Sequence, residues 1–298
     1  MNFPEYSSPS SSIVFPFLLS LLMATGISDQ GPLLIGLSSC LVAIWFACPI
    51  LLRRGLALDG LNSLPSLLLT PLAVLLLANA FALPMMGMEH PLHILAVTLV
   101  ASGLIALSEG EAARKRLILG VLLGAATRFE GIALGLAVVG ILFSAGRPRL
   151  AWSILALLAL GLGSYGLCMA RLGLPLLPSS ILAKSSVSTE AMGHDPAGII
   201  GSLLNNTSVS LENRWGILSA VLALFLLPFA AEKSPRSYLA KATVAALAAH
   251  VVAGGFGAWG PFPFGRYEVY GVVLLVLAGF TYFAPDWRPC PLAPASRC

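Results

Sequence analysis

Ten runs of mostly apolar residues, near positions 13–27, 32–52, 64–84, 91–107, 117–127, 131–146, 151–171, 214–231, 238–258 and 268–284, occupy most of this chain. A helix rises about 1.5 Å per residue and a bilayer's hydrocarbon core is about 30 Å thick, so roughly 20 such residues make one crossing. Backbone amides in lipid must be satisfied within the segment, and continuous Leu, Ala, Val and Gly runs lack the alternation of a membrane β-strand. Only 10% of the 298 residues are charged, against about a quarter in soluble domains. The pattern predicts an all-α, polytopic membrane helical bundle of about ten transmembrane helices. It would form a single domain over 1–298, with an outer loop segment at about 172–213.

The charged residues decide how the runs are threaded. With ten spans, alternate loops carry Arg53 and Arg54; Arg114, Lys115 and Arg116; Arg147 and Arg149; Lys233, Arg236 and Lys241; then Arg288 and Arg297, which is twelve of the seventeen Lys and Arg. The positive-inside rule makes that face cytoplasmic, with both termini on it, in a multi-pass protein of the inner (plasma) membrane. Merging the runs at 117–127 and 131–146 into one helix would move the later clusters outside. It would also sink Arg128 and Glu130 into the bilayer, where a charged side chain costs about 2.5–3.5 kcal/mol. Residues two apart do not face one another on a straight helix, so the pair would gain little there. A break at 127–131 is therefore predicted.

Several function classes drop out. The basic residues are scattered in twos and threes, which is topology and not a nucleic-acid surface. Cys40, Cys48, Cys168, Cys290 and Cys298 show no CxxC or Cys/His spacing, hence no disulfide framework. His90 and His93 lie three apart without an evident third ligand. No P-loop, dinucleotide fingerprint, HExxH or GxSxG occurs, so no cofactor is identified and the need for a divalent metal stays open. The run at 13–27 follows a start with no Lys or Arg, unlike a signal peptide, and reads as a retained span.

The same threading gathers polar chemistry on the outer face. Seven of the thirteen acidic residues fall there: Asp29, Glu89, Glu130, Glu190, Asp195, Glu212 and Glu268. Arg128, Lys184 and Arg266 join them, each beside Gly or Pro breaks, which points to one shared polar cavity. The glycines at 120 and 124, and at 131 and 135, permit close helix packing, within or between chains.

Four outer stretches, "GMEHPL" (87–92), "TRFEG" (127–131), "LLPSSILAKS" (176–185) and "GRYEVY" (265–270), come in this order. Together they resemble motifs of bacterial GT-C type membrane glycosyltransferases, nearest the arabinofuranosyltransferase-like and mannosyltransferase-like members. The resemblance implies transfer of a sugar from a polyprenyl-phosphate carrier to a glycan, lipid or protein acceptor at the outer side. By that analogy Arg128, Lys184 and Arg266 would hold the lipid-linked phosphate, and Glu89, Glu130 and Glu268 would position those cations or bind sugar hydroxyls. The family carries a pair of acidic residues in a long first outer loop, one of them the catalytic base. Here that loop is "SDQGP", with the single Asp29. Either Asp29 or Glu89 serves as base, or the chain is an N-terminally shortened member that binds without catalysing. A lipid-linked sugar transporter is the remaining alternative.

Overall fold

The computed structural model describes residues 12–27, 29–54, 84, 89–128, 130–174, 196–252 and 269–283. Among the described residues there are ten α-helices and one 3-10 turn, and no strand. They are α1 (Val14–Ala24), α2 (Gly31–Arg54), α3 (His90–Ser108), α4 (Arg114–Thr127), α5 (Glu130–Ser144), α6 (Pro148–Arg171), α7 (Pro196–Glu212), α8 (Arg214–Ala231), α9 (Tyr238–Val252) and α10 (Val269–Phe283). The 3-10 turn, Pro235–Ser237, leads into α9. Lys184, Arg266 and Glu268 lie outside the described residues, as do the run at 64–83 and the stretch at 176–185.

Among the described residues three helices are long and apolar enough to cross a membrane: Gly31–Leu51 within α2, α3, and α6. A fourth arises if α7 and α8, whose axes bend by 98°, count as one broken span. The remaining apolar helices are shorter. The segment at 196–212, part of the outer loop expected at about 172–213, is helical as α7, and its buried Ser210 donates to Val251 O at 2.9 Å.

The bundle is built around α3. Only Leu95, Leu107 and Ser108 of its nineteen residues escape burial. Pro91 stands in its first turn, where a missing N–H costs nothing. At its other end Gly110, at φ 77°, takes the left-handed turn; Gly110 N–H reaches Leu107 O and Glu111 N–H reaches Ala106 O, which satisfies carbonyls the helix leaves open. Val97, Val100 and Leu104 meet Leu117 and Val121 of α4, Val138 and Leu142 of α5, Ile154 of α6 and Leu274 of α10 in one core.

In lipid, helices gain little from apolar burial against one another and rely on close packing, which small residues allow. The glycines do this within the chain. A Cβ on Gly120 would lie 2.8 Å from Ala96 O and Val100 N, so α3 and α4 touch backbone to backbone. Gly131 meets the Gly124 carbonyl, and Gly135 faces Val121, which folds α5 back along α4. The predicted break is present: α4 stops at Thr127 and α5 starts at Glu130.

The first apolar run behaves differently from its expected crossing. Ile13 N–H donates to Ala126 O at 2.8 Å, and Ser12 Oγ donates to the same carbonyl, which ties the start of α1 to the Thr127 end of α4. α2 begins at that end too, because Gly36 packs on Pro84 while Phe46 underlies the Arg116 guanidinium near the opposite end. Gly31 lies against Leu19 and Leu22 of α1. Both ends of this eleven-residue helix, about 16 Å long, are therefore at one end of the bundle. α1 lies across that end instead of running along the bundle.

Candidate functional site

Where α4 stops, Arg128 is extended (φ −153°, ψ 139°), its N–H still bonded to Gly124 O and its own carbonyl accepting Gly131 N–H. That kink allows what a straight helix forbids, a pair two residues apart. Arg128 Nη2 donates to Glu130 Oε1 at 2.7 Å and Nε to Glu130 Oε2 at 3.2 Å, a two-pronged grip that suits a guanidinium and not an ammonium. Nη1 lies 3.5 Å from Glu89 Oε1 and 3.4 Å from His90 Nδ1. A guanidinium only donates, so His90 Nδ1 accepts.

Arg128 is 5% exposed and Glu89 6%. Among the described residues one cation lies between two carboxylates, with Arg128 and Glu89 buried and Glu130 partly exposed. Glu89 is held at the foot of α3, directly before His90, and Glu130 opens α5. The negative ends of both side chains sit near helix N-termini, where the peptide dipoles favour anions.

One turn further into α3, His93 Nδ1 lies 3.1 Å from Thr127 Oγ1. The Thr127 hydroxyl is already directed to Leu123 O at 2.8 Å, with Gly124 O at 3.0 Å. Thr127 Oγ1 therefore accepts from His93 Nδ1–H, and in the neutral ring Nε2 carries the lone pair. Among the described residues this buried Nε2 has no hydrogen-bond partner. The ring also meets Tyr270 edge-on, with centroids 5.0 Å apart, and His250 approaches the same Tyr270 at 5.3 Å.

Helix ends make this cluster. The starts of α3, α5 and α10 and the finishes of α4 and α9 all come to one end of the bundle, and each delivers a polar side chain there. Of the residues nominated from sequence, Glu89, Arg128 and Glu130 are brought together. Asp29 is exposed in the turn leading into α2, at the same end. Lys184, Arg266 and Glu268 are outside the described residues, although Tyr270, two positions after Glu268, is in the cluster.

Thr127, His93 and His250 were not nominated. His90 and His93 at helical spacing were the visible signal for one of them. An ionisable residue deep in the apolar run at 238–258, nine positions beyond Lys241 near its start, was the signal for His250, since such residues in membrane segments mark functional positions. Among the described residues, no three His, Cys, Asp or Glu side chains converge as metal ligands. No family model, curated protein or solved structure matches this chain.

Proposed function

We propose that this protein is a membrane glycosyltransferase of the GT-C type, moving a sugar from a polyprenyl-phosphate carrier to an acceptor hydroxyl at the outer face. The observation that carries the reading is convergence. Glu89, Arg128 and Tyr270 come from three of the four stretches that resemble that family, lie far apart in sequence, and meet in one buried cluster at the end of the bundle away from the basic loops.

The chemistry needs cations for the leaving phosphate, acceptors for sugar hydroxyls and a base. Arg128 is already gripped by two carboxylates, so its role is to hold them in place, and the phosphate falls to Lys184 and Arg266. Carboxylate oxygens and His93 Nε2 accept sugar hydroxyls. Asp29, exposed at the same end where an acceptor hydroxyl would arrive, is taken as the base. The basic end faces the cytoplasm. Nine of the ten apolar runs cross, α1 lies across the outer end, and the carboxyl-terminal tail stays inside.

The test is a purified, lipid-reconstituted chain supplied with a short polyprenyl-phosphate arabinofuranose or mannose. Release of polyprenyl phosphate is expected, with weaker donor binding in Lys184→Ala and Arg266→Ala, and lost turnover with donor binding kept in Asp29→Asn. A wild-type chain that neither binds nor cleaves either donor overturns the proposal.

A further inference from the structure

The opposite end of the bundle holds a cavity of about 690 Å³ between the turn after α3 and the turn before α6, lined by Arg114, Arg147, Arg149, Glu111 and Ser153. We propose that it binds the phosphate headgroup of an anionic phospholipid. This does not depend on the glycosyltransferase reading.

Three arginines and one acidic residue, Glu111, line the cavity, and among the described residues none of the three arginines is in an ion pair. Two helices also start there. The flanking residues Ala113 and Arg147 give α4 and α6 no side-chain cap. In α4 the first helical bond is Leu117 N–H to Ala113 O, so the amides of Arg114, Lys115 and Arg116 precede it. Each helix start adds about half a positive charge to the arginines. Threading a membrane protein requires basic residues near the cytoplasm, but neither a cavity nor two helix starts opening into it.

A lipid is favoured over free phosphate by what flanks the mouth. Trp152, 61% exposed, stacks edge-on with Phe143 at 5.4 Å, the type of aromatic pair found at headgroup depth. From Phe143 an exposed stripe runs along α5 through Gly140, which has open space beside it, to Leu136. A headgroup in the cavity would lay an acyl chain along that stripe. Basic pockets between membrane helices recognise anionic headgroups in this way.

Thermal unfolding of the full chain in a neutral detergent tests the assignment. Phosphatidylglycerol is expected to raise Tm, with phosphatidylcholine of the same chains and inorganic phosphate both inactive. Arg114→Gln/Arg147→Gln/Arg149→Gln should weaken the apparent lipid affinity about 100-fold. Arg147→Gln and Arg149→Gln alone should each weaken it several-fold. Lys233→Gln/Arg236→Gln/Lys241→Gln, elsewhere on the basic face, should leave it unchanged. An equal shift with phosphatidylcholine or inorganic phosphate overturns the proposal, and so does an undiminished shift in the single arginine variants or a lost shift in the lysine-containing control.

Discussion

Arg128 is the residue on which the buried cluster turns, and its cost is asymmetric. Removing one partner of a buried ion pair strands the other charge and costs about 3–5 kcal/mol, whereas removing all partners together is far milder. Arg128→Met should therefore lower unfolding stability in detergent by about that amount. Arg128→Met/Glu89→Gln/Glu130→Gln should recover most of the loss, and Arg128→Lys should fall between, because an ammonium cannot span both Glu130 oxygens. A wild-type unfolding midpoint for Arg128→Met would mean the ion pairs hold nothing. Sequence spacing alone argued against an Arg128–Glu130 pair, and correctly so for a straight helix; the extended backbone at Arg128 is what changes the geometry. An ionisable residue in an apolar run marked His250, but its place in the cluster was not legible, because only the packing of α9 on α10 brings its ring to Tyr270.

At the scale of the helix, the break between α4 and α5 was readable from charge, since one long helix would have buried two charges and inverted the loops after it. Its tightness was not readable. Glycine at 131 is required because a side chain there would strike the backbone carbonyl of Gly124, which cannot move aside as a side-chain tip can. Gly131→Val should cost about 1–3 kcal/mol or more, by overpacking. Gly140→Val, on the same helix but facing open space, should be near neutral in the same thermal unfolding measurement. Equal losses at both positions would attribute the effect to helix propensity instead of to the α4–α5 contact. α7 escaped prediction for a different reason: Asn205, Asn206, Thr207 and Ser208 dilute the apolar signal of Ile199, Ile200, Leu203 and Leu204, although the two sets share one helix.

For the molecule as a whole, the two ends of the bundle carry opposite chemistry, and the disposition of α1 decides where the chain starts relative to them. Counting apolar runs gives ten crossings with the amino terminus on the basic side. The bond from Ile13 to Ala126 and the start of α2 at the same end instead put both ends of α1 at one end of the bundle, which favours a threading with one crossing fewer. An amphiphile of about 16 Å cannot reach across about 30 Å of hydrocarbon, so a short apolar helix is easier to place along an interface. Its exposed Phe17, Leu21 and Met23 would then contact lipid at the level of the buried cluster. Single cysteines in a background with the five native ones replaced separate the two threadings. Ser8→Cys and Leu172→Cys should react with a membrane-impermeant maleimide in intact cells, while Glu111→Cys should react only after permeabilisation. Protection of Ser8→Cys in intact cells, with Leu172→Cys still labelled, would restore α1 as a crossing and return the amino terminus to the basic side.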